Sequence, residues 1–259
     1  MHVHLAGEGP SLLLVHGSAT VAAGWGGQIA GLSRYFKILA HDRRGAPQSP
    51  LPPGANFWSV EQHAQDAEAL IEAHLPGPVL AVGSSFGAVV VLALARRIPT
   101  RLAGMVLCEP PLPSSDALPS VPTDYLQQMR RTATESGEEA AAAFFLQTVL
   151  GPEVYRAMPP AWRKRSLALH RAIFLDSEAL AAHRVDYATL DQVRVPTLLC
   201  GGGRSGPCFE PTLEALGRRL PRAERVTFPE AGHMMHVDAL SAFNSEVLRF
   251  SKSVAGVVG

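Results

Sequence analysis

Short apolar segments recur along this chain, and segments with helical spacing separate them. Six of the apolar segments have the length and composition of buried strands: 11–15, 36–40, 79–82, 104–108, 196–200 and 225–228. Helical patterns occupy five further segments: 25–35, 60–74, 86–97, 211–220 and 240–252. Uninterrupted apolar strands that alternate with helices indicate a sheet buried on both faces, which is typical of parallel strands. The predicted fold class is therefore α/β, with a mostly parallel sheet and helices on both of its faces.

The alternation is interrupted by one stretch that is rich in Ala and punctuated by Pro and Gly. Three helical segments occupy this stretch, and no buried strand is visible among them: 124–134, 138–150 and 161–175. We predict a helical cap, residues 111–190, inserted into a core domain formed by residues 1–110 and 191–259. One domain that carries an insertion is an ordinary arrangement for a chain of 259 residues.

Charge and apolar content exclude several classes of partner. Acidic and basic residues balance at 23 each, and the arginine pairs are scattered, so nucleic acid is not an expected partner. The longest apolar run, 88–95, is far too short to span a bilayer, and the N-terminus has no export signal. Three cysteines without paired spacing argue against a disulfide framework. We expect a cytoplasmic protein that is not bound to a membrane, and the sequence leaves its oligomeric state open.

The sharpest local signal is Gly83-Ser84-Ser85-Phe86-Gly87, which matches the pattern G-x-S-x-G between a predicted strand and a predicted helix. A sharp turn at this junction pushes the middle side chain out of the sheet, and the two glycines let the neighbouring backbone approach closely. The helix N-terminus also favours negative charge that develops beside the serine. We therefore predict that Ser85 is a catalytic nucleophile, rather than part of a turn that only joins two elements.

A serine hydroxyl is a weak nucleophile and needs an adjacent base. His233 lies between the last predicted strand and the last predicted helix, where a side chain can reach the carboxyl edge of the sheet. We predict that His233 is the base, and we interpret His236 as a histidine at the start of the helix. His2 and His4 would provide only two metal ligands, so no metal and no other cofactor is predicted.

Taken together, these motifs resemble the α/β-hydrolase family over almost the whole chain. His16-Gly17-Ser18 is similar to the oxyanion loop of the family, and Asp42-Arg43-Arg44-Gly45 is similar to its usual turn after the next strand. The resemblance implies that the backbone N–H groups of Ser18 and Phe86 form an oxyanion hole. We expect Asp42 to hold its own loop in place rather than to act as the catalytic acid.

The acid of the triad is the point where the sequence departs from the commonest pattern of the family. That pattern places an Asp a few residues beyond the strand that ends here at Cys200, but residues 201–209 contain no carboxylate. A subset of the family takes its acid from the end of another strand, and Glu109 directly follows the strand that ends at Cys108. By that resemblance, Glu109 would bind the second nitrogen of His233 and stabilise the imidazolium. Glu210 is the alternative acid.

The predicted reaction is acyl transfer to water through an acyl-enzyme on Ser85. The expected substrate is a carboxylic ester or lactone of a moderately apolar small molecule. A thioester or a carbon–carbon bond beside a ketone is an alternative, and so is a natural-product biosynthetic enzyme or a ligand sensor that uses the cap pocket. Five side chains are predicted to line an apolar pocket between cap and sheet: Trp25, Met158, Trp162, Phe174 and Met234.

Overall fold

The computed structural model describes residues 1–51, 54, 57–113, 115 and 123–255. Parts of both predicted domains lie outside the described residues: 114 and 116–122 of the cap, and 52–53, 55–56 and 256–259 of the core domain. Within the described part of the chain, seven strands form one sheet: β1 Val3–Ala6, β2 Ser11–Val15, β3 Lys37–His41, β4 Val79–Ser84, β5 Leu102–Cys108, β6 Thr197–Gly202 and β7 Ala223–Phe228.

The strands are ordered β1-β3-β2-β4-β5-β6-β7 across the sheet. Strand β1 runs antiparallel to β3 at one edge, and every other neighbouring pair is parallel, which confirms the predicted fold class. From β2 the chain moves outward to β3 and then returns to the other side of β2 to form β4. The strand order therefore reverses beside β2, and parallel sheets bind ligands at the carboxyl ends of the strands around such a point.

Helices connect the strands, and we number the α-helices in chain order: α1 Gly26–Leu32, α2 Val60–His74, α3 Phe86–Arg97, α4 Thr123–Ser136, α5 Glu138–Leu150, α6 Pro152–Ala157, α7 Pro160–Leu167, α8 His170–Ala182, α9 Phe209–Arg219, α10 Met235–Asp238 and α11 Leu240–Ala255. A capping box starts α2, since the Ser59 hydroxyl accepts from the Gln62 N–H while the Gln62 side chain accepts from the Ser59 N–H. This exchange satisfies two amide groups that a helix start would otherwise leave unpaired.

Alternate residues of each central strand pack on opposite faces of the sheet. In β2, Leu13 packs on the face covered by α2, α3 and α9, whereas Leu12 and Leu14 pack on the face covered by α1 and α11. All three leucines are fully buried. This two-sided burial explains why the strands read as uninterrupted apolar runs, because no position of a central strand faces solvent.

Between β5 and β6, the described residues form five α-helices, α4 to α8, which we call the inserted helices, followed by a 3-10 helix, Tyr187–Gln192. The predicted helix over 161–175 is wrong in its bounds, because two helices, α7 and α8, occupy this region. The amide groups of Ala168 and Leu169 bond back to Lys164 and Ser166, which closes a turn between the two helices. The second helix then continues to Ala182. No helix in the described part of the chain combines the length and the apolar character needed to cross a bilayer.

Candidate active site

Ser85 occupies a strained turn between β4 and α3. Its backbone has φ 53° and ψ −122°, a region that residues with a side chain rarely adopt. The Ser85 N–H donates to the Cys108 carbonyl at 2.8 Å, and the Ser85 carbonyl accepts from Ala88 at 2.8 Å, so both neighbouring elements hold the turn. The conformation leaves the Ser85 side chain only partly buried at the carboxyl edge of the sheet, in a region where its neighbours are fully buried.

The glycines of the turn are required by close backbone contacts. A Cβ atom at Gly83 would lie 2.4 Å from the Gly87 carbonyl oxygen, and one at Gly87 would lie 2.2 Å from the Val15 carbonyl oxygen. Both distances are far below van der Waals contact. The pattern G-x-S-x-G therefore describes how tightly β2, β4 and α3 meet around the serine.

The structure brings Glu109 and His233 together. Glu109 Oε2 lies 2.6 Å from His233 Nδ1, and Glu109 Oε1 accepts from the Gly202 N–H at 2.7 Å. The Glu109 side chain is 1% exposed and that of His233 is 6% exposed. The imidazole also stacks on the Phe209 ring, with centroids 4.3 Å apart and planes 14° apart. These contacts fix the ring orientation, and His233 Nε2 is buried without a hydrogen-bond partner among the described residues.

Glu210, the alternative acid, and His236, the second histidine of the loop, lie elsewhere. Glu210 is on the surface at the start of α9, where its Oε1 accepts from Arg225 at 2.6 Å. His236 is buried beside Trp25, with ring centroids 4.6 Å apart, and burial together with the charge of His233 lowers the pKa of His236 to about 3. Neither residue contacts the Glu109–His233 pair in the way that a triad member would.

The residues predicted to form the oxyanion hole belong to the two segments that adjoin the Ser85 turn. The register pairs Val15 of β2 with Gly83 of β4, so the loop that begins at His16 lies beside the Ser85 turn. Phe86 is the first residue of α3, and the first N–H groups of a helix have no acceptor within it. Among the backbone hydrogen bonds of turns, loops and helix caps in the described residues, none is donated by the Ser18 N–H or the Phe86 N–H.

A second buried polar cluster adjoins the loop after β2, and the sequence did not indicate it. Arg43 donates to both oxygens of Asp176, with Nη1 3.0 Å from Oδ1 and Nη2 2.7 Å from Oδ2. Their side chains are 4% and 1% exposed. Asp176 also accepts from the Ser18 hydroxyl at 2.7 Å and from Trp58 Nε1 at 3.2 Å. Asp176 lies three positions after Ile173 and four before Leu180, which places it on the apolar face of α8. This spacing is the sequence signal that could have indicated a buried acidic residue.

Two neutral histidines complete this cluster. His16 Nε2 accepts from the Arg43 N–H at 3.0 Å, so its Nδ1 carries the proton and donates to the Gly17 carbonyl at 2.7 Å. His63 Nε2 lies 3.3 Å from Arg43 Nη1, which can only donate. Burial, followed by the charge of Arg43, holds the pKa of both histidines well below the ordinary value. The cluster therefore carries one positive and one negative charge, which balance.

The side chains predicted to line an apolar pocket are dispersed. Trp25 packs in the core beside Phe243 on the α11 face, opposite the face on which residues of α8 pack, so it does not reach a pocket beside the inserted helices. Met158 and Met234 are half-buried, and Trp162 is 46% exposed on α7. Phe174 lines an open pocket of about 700 Å³ between α4, α5 and α8.

The described residues include no group of three or more His, Cys, Asp or Glu side chains placed to hold a metal ion.

Asp42 accepts from the Ala22 N–H at 2.8 Å and lies 3.2 Å from His2 Nδ1. These contacts join Asp42 to the chain on either side of β2.

The chain matches the alpha/beta hydrolase family over residues 12–246 and belongs to that family. It is therefore a hydrolytic enzyme of the α/β-hydrolase class. It is 26% identical over 250 residues to a pimeloyl-[acyl-carrier protein] methyl ester esterase of Nitrosomonas europaea, covering 90% of this chain and 92% of the relative. It is 29% identical over 255 residues to an N-formylmaleamate deformylase of Pseudomonas putida, covering 93% and 88%.

Solved structures support the same fold. The enol-lactonase of Burkholderia xenovorans LB400 superposes with a TM-score of 0.81 at 22% identity, over 96% of this chain and 95% of the other. At this identity the likeness shows the fold alone.

Proposed function

We propose that this enzyme hydrolyses a carboxylic ester or lactone of a moderately apolar small molecule through an acyl-enzyme on Ser85. In this proposal His233 is the general base and Glu109 is the acid that orients it. The backbone N–H groups of Ser18 and Phe86 form the oxyanion hole. The reaction needs no metal or organic cofactor, because each of these roles is filled by a group of the chain.

The observation that carries the proposal is the 2.6 Å contact between Glu109 Oε2 and His233 Nδ1. A carboxylate on Nδ1 keeps the proton on that nitrogen, and the Nε2 lone pair is then available to a hydroxyl. A nearly fully buried carboxylate is costly unless charge or hydrogen bonds compensate it, and here both oxygens have partners. A structural glutamate at the surface would not need such an arrangement.

Acylation would begin when Ser85 Oγ attacks the carbonyl carbon while His233 Nε2 takes the hydroxyl proton. Negative charge moves to the carbonyl oxygen, where the two N–H groups stabilise it by a few kcal/mol each. The imidazolium then protonates the leaving alcohol. In the second half, His233 takes a proton from water, the hydroxide attacks the acyl carbon, and Ser85 Oγ leaves with the proton that His233 returns.

The substrate class rests on the relatives as well as on the site. One relative is named for the methyl ester of a pimeloyl group and another for N-formylmaleamate, so oxygen and nitrogen leaving groups both occur among similar chains. We place the ester first because Ser85, His233 and Glu109 require no further group to release an alcohol. We also propose that residues 111–190 act as a cap whose helices select the substrate.

The proposal is tested by labelling with a fluorophosphonate probe and by assaying a panel of chromogenic esters, lactones, thioesters and N-formyl amides. The Ser85→Ala variant should stay folded but should not be labelled. Its kcat should be lower by at least about 10⁴-fold. Ser84→Ala is the matched control, because Ser84 is the neighbouring serine at the end of β4, and it should retain the label. Full labelling of the Ser85→Ala protein would contradict the proposal.

A further inference from the structure

The Arg43–Asp176 pair holds one particular peptide group of the loop after β2. Arg43 Nη2 donates to the Gly17 carbonyl at 3.1 Å, and the Nδ1–H of the neutral His16 lies 2.7 Å from the same oxygen. This carbonyl belongs to the same peptide unit as the Ser18 N–H. The unit is planar and trans, so its C=O and N–H point in opposite directions. Fixing the Gly17 oxygen therefore also fixes the direction of the Ser18 N–H.

The opposite end of this peptide unit is also held. The Ser18 hydroxyl donates to Asp176 Oδ2, and Ala19 packs in a small apolar cluster with Met129 of α4 and Ile173 of α8. Both contacts come from the inserted helices. The orientation of the loop thus depends on where α8 docks.

The held peptide lies against the nucleophile. A Cβ atom built at Gly17 would be 3.1 Å from Ser85 Cβ, so no side chain separates the loop from the serine. The Arg43 guanidinium also lies 4.4 Å from the centre of the Phe86 ring. The same cation therefore contacts the Phe86 ring and the carbonyl of the peptide unit that carries the Ser18 N–H.

We propose that Arg43 and Asp176 are positioning residues that aim the Ser18 N–H at the oxyanion and make the oxyanion hole depend on the docking of α8. This inference rests on the proposed function, since it concerns a donor of that reaction. The two residues act through the Gly17–Ser18 peptide and do not touch the reacting atoms.

The hydrogen-bond inventory explains why this position needs an arginine. A guanidinium has five N–H groups, and Arg43 uses them on the His16 and Gly17 carbonyls, on both oxygens of Asp176 and on His63 Nε2. The three N–H groups of a lysine could not serve these acceptors. The cation on the Gly17 carbonyl also polarises the peptide, which strengthens the Ser18 N–H as a donor.

The test is the rate of Ser85 labelling by a rhodamine fluorophosphonate, because the phosphoryl oxygen of this probe enters the oxyanion hole and no natural substrate is needed. Asp176→Asn should lower the second-order labelling rate by about 10- to 100-fold, which is the cost of a misplaced catalytic group. Ser18→Ala keeps the backbone N–H and removes only the bond to Asp176, so a decrease of about 3- to 10-fold is expected. With a p-nitrophenyl ester, kcat should fall in parallel while KM changes by less than about threefold.

The matched control is Asp66→Asn. Asp66 pairs with Arg44, the next residue along the chain, through two hydrogen bonds of 2.6 Å, but this pair does not contact the loop after β2. Asp66→Asn should label at the wild-type rate, and circular dichroism should show that each variant is folded. If Asp176→Asn does not fold, Ser18→Ala alone decides.

Labelling of the folded variants within twofold of wild type would overturn the positioning role, and so would a rise in KM with kcat unchanged. A wild-type protein that does not label at all would instead contradict the proposed function. The two failures are therefore distinguishable.

Discussion

Glu109 uses both of its carboxylate oxygens, one on His233 Nδ1 and one on the Gly202 N–H. Its backbone has φ 42°, in the left-handed region that favours glycine. A strained and buried glutamate persists only where its neighbours determine its position, and such residues cluster at functional sites. The strand end at Gly202 thus donates an N–H to the Glu109 carboxylate.

Replacement of Glu109 by Gln tests its charge without changing its size. The amide cannot balance an imidazolium, and its NH₂ group can force the wrong tautomer on His233. We expect Glu109→Gln to lower kcat by about 10³- to 10⁴-fold with little change in KM. The measurement is steady-state kinetics on the best ester of the panel, with a thermal melt to show folding.

Glu210→Gln is the control for this substitution. It removes a surface contact with Arg225 and should leave kcat within about twofold. If Glu210→Gln lost the activity and Glu109→Gln kept it, the assignment of the acid would be reversed.

The turn between β4 and α3 shows how an element can be specified by a short pattern. The spacing of Gly83, Ser85 and Gly87 predicted a tight junction, and the structure places each glycine against backbone atoms of a neighbouring element. Local sequence carries this information because the atoms nearest the two glycines belong to residues at most five positions away or to Val15 and His16 at the end of β2. Strands and helices of the core were predictable for the same reason, since burial on both faces leaves a continuous apolar run.

Helix α8 shows where prediction from sequence fails. The helical pattern was interpreted as ending at Leu175, whereas the helix continues to Ala182 and carries Asp176 on its buried side. An acidic residue normally indicates a solvent-facing position. Its partner Arg43 lies 133 positions earlier in the chain, and no local pattern connects the two residues.

Gly87→Ala tests the packing of the β4–α3 turn. The new Cβ would lie 2.2 Å from the Val15 carbonyl oxygen and 2.7 Å from that of His16, and neither backbone atom can move without shifting β2. We expect a loss of about 3 kcal/mol in the free energy of unfolding, measured by urea denaturation.

Gly26→Ala provides the comparison for this substitution. Gly26 begins α1 with φ −53°, and a Cβ atom there would meet open space. The free energy of unfolding should change by less than about 1 kcal/mol, in the stabilising direction. Equal effects of the two alanines would show that the junction is not tightly packed.

At the scale of the whole molecule, residues that are far apart in the sequence meet at the carboxyl edge of the sheet. The ends of β2, β4, β5 and β6 are held in register, and this register brings the loop at Gly17, the turn at Ser85 and the carboxylate of Glu109 together. Motif spacing indicated these residues individually. The distances between them, and the part played by the inserted helices, depend on packing over more than a hundred residues.

Buried histidines make the stability of the molecule depend on pH. Burial and then the charge of Arg43 lower the pKa of His41 to about 3, and burial and then the charge of His233 lower the pKa of His236 to about 3. In the unfolded chain a histidine titrates near its ordinary value of about 6.5. Between these values the unfolded state binds protons that the folded state does not. The contribution of these two neutral histidines to the free energy of unfolding is therefore fully present above about pH 6.5. It is lost as the pH decreases toward 3.

Replacement of His236 by Leu removes one of these titrations. The side chain packs between Trp25 and Phe243, so an apolar replacement suits its surroundings. For the wild type, each such histidine contributes a slope of about 1.4 kcal/mol per pH unit between pH 6 and 4. Urea denaturation at several pH values should show that His236→Leu has a shallower slope by about that amount. An unchanged slope would mean that His236 takes up its proton within the folded protein, and its burial beside Trp25 would then not keep it neutral.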